Sequence, residues 1–143
     1  MKEQLFWEII ESSWNDTPAA ATQRKEATSA NNTVLFPELA KQLEHVVIPH
    51  ISQRLTTLNK TDFKKFMEIL NKKIRHLDRD EVHAHVGGSD DGFLDRRGFI
   101  VGMGEGYYNT VDKDPSKAAR GIEVEYFAYF GYDVYEEKFG EPL

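Results

Sequence analysis

The stretch LNKTDFKKFMEILNKKIRHL, residues 58–77, gives the clearest indication of secondary structure in the chain. Its large apolar residues recur at steps of three and four, the spacing that places side chains on one face of an α-helix. They are Phe63, Phe66, Met67, Leu70, Ile74 and Leu77. The opposite face carries Lys64, Lys65, Lys72, Lys73 and Arg75. We predict a helix with one buried and one basic face, whose N-terminus is capped by Thr61.

Helical spacing continues on both sides of this stretch. Residues 2–13 carry an apolar stripe, and a second helix is predicted from Pro37, with Pro49 expected to kink or split it. Downstream, helical spacing resumes from Phe93 to Val111. The aromatic-rich run 123–141 fits one further helix that ends at Gly140. No strand alternation or internal repeat is visible.

One segment departs from this pattern. Residues 15–32, NDTPAAATQRKEATSANN, are polar and lack large apolar residues, so they are interpreted as a loop, although their propensities would allow a short helical turn. A chain of 143 residues is suited to one domain with one core. The predicted fold is therefore mainly α, a single compact domain over residues 1–143, with about five or six helices and a mobile loop near residues 15–35.

Composition argues against several classes of protein. The absence of cysteine excludes disulfides and thiolate chemistry. A net charge of -6 argues against general binding of nucleic acids, which requires clustered cations. No stretch approaches the roughly 20 apolar residues of a membrane span, and the N-terminus does not resemble a secretory signal. We expect a cytoplasmic protein with no nucleic-acid or membrane partner.

The run HVGGSDDGFLDRRGF, residues 85–99, has two interpretations. In the structural one, Gly87 and Gly88 form a turn, Ser89 caps a helix, and Asp90 and Asp91 lie in its positive first turn. In the other, His83, His85, Asp90 and Asp91 serve a metal- or ligand-binding enzyme. The two histidines would not share a helix face, and Ser89 lacks a nucleophile-elbow pattern. We favour the structural interpretation and expect no catalytic residue, metal or cofactor.

The next glycines follow a helical step. Gly98, Gly102 and Gly106 are four residues apart, and each interior glycine costs a helix about 0.5–1 kcal/mol relative to alanine. We expect another helix to pack closely against this glycine face. The alternative is that the helix is broken and that the glycines mark irregular backbone.

The stretch GGSDDGFLDRRGFIVGMGEGYYNTVDKDPSKA resembles the hallmark of a bacterial family filed as domain of unknown function 4240. The family's Gly-Ser-Asp-Asp-x-Phe run and its following segments are matched by Gly88, Ser89, Asp90, Asp91, Phe93, Arg97, Gly98, Phe99, Ile100, Asp114 and Pro115. Asp95 and Arg96 stand where the family is often aromatic. The resemblance reaches most of the chain except roughly residues 15–55. It implies a helical domain and no established activity.

The C-terminal run indicates a protein-binding surface. Six carboxylates between Glu123 and Glu141 face only one cation, Lys138, and tyrosines of the kind enriched in interfaces are interspersed among them. The candidate contact residues are Asp90, Asp91, Glu125, Tyr129, Tyr132, Asp133, Glu136 and Glu137. We expect an immunity or antitoxin-type inhibitor of a cognate bacterial toxin, most simply a basic toxin domain attracted by charge. A non-catalytic regulatory module is the further alternative, and the oligomeric state is not predicted.

Overall fold

The computed structural model describes all 143 residues, and it contains helices and turns but no β-strand. The helices are α1 Glu3–Asn15, α2 Pro18–Ser29, α3 Phe36–Gln42, α4 Ile48–Leu55, α5 Lys60–His76, α6 Asp80–Val86, α7 Asp90–Gly102, α8 Glu105–Lys113 and α9 Phe130–Phe139. Because α3 and α4 are joined without a break, they form one long helix, and the chain has eight continuous helices. The mainly helical fold is confirmed, whereas the expected five or six helices are too few. No helix combines the length and the apolar character needed to span a bilayer.

Helix α2 occupies most of the segment predicted to be a loop. Pro18 lies in its first turn, where the missing N–H of proline does no harm, and the following alanines favour helix. Ala20 and Ala27 are buried, and Arg24 forms two 2.6 Å hydrogen bonds with Glu11 of α1. Small side chains let α2 lie close to its neighbours. The loop prediction was wrong because it looked for large apolar residues that this packing does not require.

The helix containing Pro49 is not split. A π-helical segment, Leu43–Val47, joins α3 to α4, and Pro49 follows in the first turn of α4. A proline ring removes one helical hydrogen bond and crowds the carbonyl four residues earlier, here that of His45 inside the π segment. A wide π turn at this point absorbs the misfit and lets the helix continue.

Helix α5 lies at the centre of the core. All six apolar residues predicted for its inner face are buried, which confirms that prediction. The ring of Phe66 lies 4.8 Å from that of Phe6 in α1, and the ring of Phe63 lies 5.2 Å from that of Tyr135 in α9. The cap is Asn59, whose Oδ1 accepts the Asp62 N–H at 2.8 Å, and Thr61 lies inside the helix. Asparagine is at least as favourable as threonine in this position.

The glycine-rich helix is broken where α7 meets α8. Gly104 adopts a φ of +101°, and it separates α7, which ends at Gly102, from α8, which starts at Glu105. The prediction that another helix packs closely on this face is confirmed at Gly102 alone, which faces Leu43 of the α3–α4 helix, whereas Gly98 contacts the turns at 118–129. A Cβ on Gly98 would lie 3.4 Å from Phe127 Cβ, and one on Gly102 would lie 2.5 Å from Leu43 Cδ2. Gly106 has nothing within 4 Å of that position.

The C-terminal helix is shorter than predicted. Residues 118–129 run as turns, and α9 begins only at Phe130 and ends at Gly140, which adopts the expected left-handed conformation. Backbone bonds to earlier helices hold the turns: Gly121 N–H donates to Val86 at 3.1 Å and Val124 N–H to Asp95 at 3.3 Å. Because these donors bond across the fold, they are not available for helical hydrogen bonds along the segment.

Candidate functional site

The run from Gly87 to Asp91 forms a joint between α6 and α7. Ser89 caps α7, its Oγ accepting the Gly92 N–H at 3.4 Å, and Asp90 and Asp91 are exposed in the first turn, as predicted. Gly87 and Gly88 both have positive φ values, of 73° and 102°. Such a backbone conformation strains any residue that carries a side chain, so both glycines serve the turn.

Two arginines close the C-terminal end of α6 at this joint. Arg96 Nη1 donates to the Val86 carbonyl at 2.7 Å, and Arg120 Nη1 donates to the Ala84 carbonyl at 3.2 Å. A Cβ on Gly87 would lie 3.1 Å from Arg96 Nη1. Arginine side chains near a helix C-terminus satisfy its free carbonyls and oppose its negative end. The joint thus holds α6 on α7, and Arg96 is engaged within the fold.

Arg97 is also directed inward. Its side chain is 8% exposed, lies 4.4 Å over the ring of Phe93 and donates from Nη1 to the Ile74 carbonyl at 3.1 Å. Burial lowers the pKa of its guanidinium, an effect that the distant Asp78 carboxylate only partly offsets. Arg97 ties α7 to the last turn of α5.

The residues considered for a metal or enzyme site lie apart. The ring of His83 stacks on Phe93 at 4.1 Å, and its Nε2 lies 2.7 Å from the Gly88 carbonyl, to which it can donate. His85 lies near Asp114, whose pKa is held low mainly by the Ser116 hydrogen bond and, to a smaller degree, by the charge of His85. No three His, Asp or Glu side chains are arranged to hold a metal ion. The structure therefore does not gather His83, His85, Asp90 and Asp91 into one metal site.

The negative charge of the molecule is concentrated in its last 21 residues. Residues 123–143 contain six carboxylates and one lysine, which give five of the six net negative charges of the chain. The side that faces solvent, the acidic face, consists of Glu125, Tyr129, Asp133, Glu136 and Glu137. Asp133, Glu136 and Glu137 share one side of α9 because they are three and four residues apart. None of the four acids forms a salt bridge.

Lys138, the one cation of this segment, is directed away from the acidic face. Its Nζ donates to the carbonyls of Thr56 and Leu58 beyond the end of α4, the second at 2.8 Å. Glu141 is paired with Lys60 at 2.9 Å. These contacts fasten α9 to the preceding helices and leave the charge of the acidic face uncompensated.

The tyrosines divide between the outside and the core. Tyr129 is 49% exposed and Tyr126 is 42% exposed. Tyr132 is half-buried on the side of α5, where its hydroxyl accepts a hydrogen bond from Asn71 Nδ2 at 2.9 Å. Tyr135 is fully buried. The spacing of the tyrosines could have distinguished the exposed ones from the buried one only if the start of α9 at Phe130 had been known.

A carboxylate cluster links Asp91 with Glu125. Between them lies Asp95, half-buried on α7, with no cation within salt-bridge distance. Burial, and then the charges of Glu123, Glu125 and Asp91, raise the pKa of Asp95 to about 6. In the sequence Asp95 stood out only as a departure from the family's aromatic positions, although Asp91 and Asp95 are four residues apart, the spacing at which like charges repel on a helix. Asp90 is exposed beside this cluster.

Comparison with known proteins gives a family but no function. The model of the family described as Protein of unknown function (DUF4240) matches residues 1–137. The chain belongs to this family. Neither the search of curated proteins nor the search of solved structures found a match. The resemblance to this family noted in the sequence is confirmed. In this DUF4240 protein the first part of the quoted motif, Gly88–Asp91, lies in the joint between α6 and α7.

Proposed function

We propose that this DUF4240 protein is a non-catalytic protein-binding module, an immunity or antitoxin-type inhibitor that neutralises a cognate bacterial toxin by direct binding. The observation that carries the proposal is the acidic face, which combines four exposed carboxylates without salt-bridge partners and an exposed tyrosine. The contacts of Lys138 and Glu141 fasten α9, which carries Asp133, Glu136 and Glu137 of this face, to the preceding part of the fold. A rigid charged surface with an aromatic anchor suits a protein partner of opposite charge.

The chemistry of the face indicates a basic partner. Uncompensated carboxylates attract a cationic protein over several ångströms and orient it before contact, an effect that salt weakens. Tyr129, which lies between Glu125 and Asp133 in the sequence, supplies apolar area and a hydroxyl group. A toxin domain that is itself basic, such as one that acts on nucleic acid, would present the complementary charge.

The test is affinity capture with a matched pair of charge-reversal variants. Glu136→Lys/Glu137→Lys reverses two charges on the acidic face, and Glu8→Lys/Glu26→Lys reverses two exposed, unpaired acids on α1 and α2. The tagged chain is incubated with lysate of its native cell at low and at high salt, and the retained proteins are identified by mass spectrometry. We expect the wild-type chain and the α1/α2 variant to retain one basic protein at low salt.

The acidic-face variant should lose that protein, and high salt should release it from the others. Retention by all three chains, or retention of no basic protein, would contradict the proposal. Inhibition is tested separately from binding. The captured protein should arrest growth when it is expressed alone and permit growth when the wild-type chain is expressed with it.

A further inference from the structure

The C-terminal half of α5 and helix α8 enclose a polar cleft on the surface. It has a volume of about 480 Å³ and is lined by Lys72, Arg75, His76, Tyr108, Asn109 and Asp112, with Lys73 at one side. Only one of the lining side chains, Tyr108, is hydrophobic. The cleft is built from helices other than α9, so its chemistry is independent of the acidic face.

Two cations in this cleft lack a carboxylate partner. Lys73 is paired with Glu3 at 2.6 Å, and Asp112 is paired with Arg79 at 2.6 Å. Lys72 and Arg75 form no salt bridge. Glu3 and Asp112 are therefore each paired with a cation other than Lys72 and Arg75, and the positive charges of Lys72 and Arg75 are not neutralised by a salt bridge.

Two further polar side chains, His76 and Asn109, lie beside these cations. Asp112 holds the ring of His76, with its two carboxylate oxygens 3.0 and 3.2 Å from His76 Nε2, and His76 Nδ1 has no partner within the protein. The Asn109 side-chain amide also makes no hydrogen bond within the protein. Although burial raises the pKa of Asp112, the hydrogen bond from Arg79 and the charge of His76 outweigh it, so Asp112 stays ionised and continues to orient the ring.

We propose that the α5–α8 cleft binds a small phosphate-bearing anion, with Lys72 and Arg75 supplying charge and the Asn109 amide donating hydrogen bonds. A phosphoryl group carries several acceptor oxygens and is recognised by cations and donors that converge on it from more than one side. Here the cations come from α5 and the amide from α8, across a concave surface. The site would give the molecule a small-molecule ligand in addition to a protein partner.

The test is a titration of the ¹⁵N-labelled full chain with inorganic phosphate, with chloride adjusted to keep the ionic strength constant. We expect saturable chemical-shift changes at residues 72–76 and 108–112. Lys72→Ala/Arg75→Ala should weaken binding by about tenfold or more. The matched control, Lys41→Ala/Lys64→Ala, removes two exposed cations outside the cleft and should bind phosphate as the wild type does.

A second variant and a second probe complete the design. Asn109→Asp leaves the cations in place and adds a negative charge in the cleft, so it should weaken phosphate binding as well. Adenosine 5′-monophosphate is titrated in parallel: tighter binding than phosphate would show that a phosphate ester is the natural ligand class, and equal binding would show that the phosphoryl group alone is recognised. Changes that do not saturate with either probe, or an equal loss in both double variants, would overturn the proposal.

Discussion

The two sides of residues 123–139 differ in burial and in charge. On the inner side, Val124, Phe127, Phe130 and Tyr135 are buried against α5 and α7. On the outer side, the acidic face has no cation partner and exposes Tyr129. The inner side therefore contributes packing to the free energy of unfolding, whereas the outer side is free to bind a partner. If this division is correct, substitutions on the two sides should affect different measurements.

The largest expected effect on the free energy of unfolding comes from adding a side chain at Gly102, where Phe127 of the inner side packs against α7. Gly102→Leu places a Cβ 2.5 Å from Leu43 Cδ2 and 3.0 Å from Phe127 Cε2, with three more carbons beyond it. Since the surrounding core is fully buried, we expect a loss of about 4 kcal/mol or more in the free energy of unfolding. Urea unfolding followed by circular dichroism measures this loss.

Gly106→Ala is the matched control for that substitution. Gly106 lies in α8, where an added Cβ meets nothing within 4 Å. Replacement of a helical glycine by alanine should then raise the free energy of unfolding by about 0.5–1 kcal/mol. An unchanged midpoint for Gly102→Leu would show that the glycine face is not closely packed.

The next effect compares two aromatic residues two positions apart. Phe127→Ala removes a fully buried ring that packs on Gly98, Gly102 and Phe130, and should lower the free energy of unfolding by about 3–4 kcal/mol. Tyr129→Ala removes an exposed ring and should change it by less than about 0.5 kcal/mol. Similar losses in the two variants would mean that residues 123–139 do not have separate inner and outer sides.

Much of the fold was predictable because it depends on local spacing. The inner face of α5 follows from apolar steps of three and four, and the cap at Ser89 and the end of α9 at Gly140 follow from residue preferences at helix termini. Helix α2 was missed because its buried residues are alanines, and α1 and α3 pack on it without any large apolar side chain in α2 itself. The turns at 118–129 were missed because their backbone donors bond to Val86 and Asp95 in other helices.

The candidate site was predictable in charge but not in geometry. The excess of carboxylates after Glu123 is visible in the sequence, and the structure leaves Glu125, Asp133, Glu136 and Glu137 exposed. Composition does not show that Lys138 turns toward α4, which is what leaves those acids unpaired. It also does not show that Glu125 approaches Asp95, since the two lie on different segments. The direction of Lys138 and the approach of Glu125 to Asp95 both depend on contacts between residues that are far apart in the sequence.

A smaller effect concerns the carboxylate cluster, where the outer side meets α7. The pKa of Asp95 is raised by burial and then by Glu123, Glu125 and Asp91 to about 6, above its ordinary value of 3.8. The folded state therefore holds this proton more tightly than the unfolded chain. The stability contributed by the proton is complete below the ordinary pKa and is lost as the pH rises from about 4 to about 6.

Asp95→Asn should therefore stabilise the protein at about pH 8, by about 1 kcal/mol once solvent screening of a half-exposed carboxyl is allowed for. Near pH 4, where the wild-type carboxyl is largely protonated in the folded state, the two proteins should unfold at the same urea concentration. Urea midpoints at the two pH values measure the difference. A gain of equal size at both would assign the effect to something other than charge in the cluster.

The smallest expected effect on stability is that of Glu136→Lys/Glu137→Lys. Both residues are exposed and unpaired, and Glu137 lies four residues from Asp133, so the reversal replaces a repulsion with an attraction near the negative end of α9. We expect the free energy of unfolding to change by no more than about 0.5 kcal/mol, in the stabilising direction at low salt.

This stability measurement determines what the capture experiment means. If the reversal leaves folding intact and abolishes capture of a basic protein, the acidic face is a binding surface, because the packed side of the same segment is unaffected. A loss of more than about 1 kcal/mol would instead show that these carboxylates stabilise the fold. Failure to capture a partner would then follow from unfolding, and the division between the two sides of residues 123–139 would have to be abandoned.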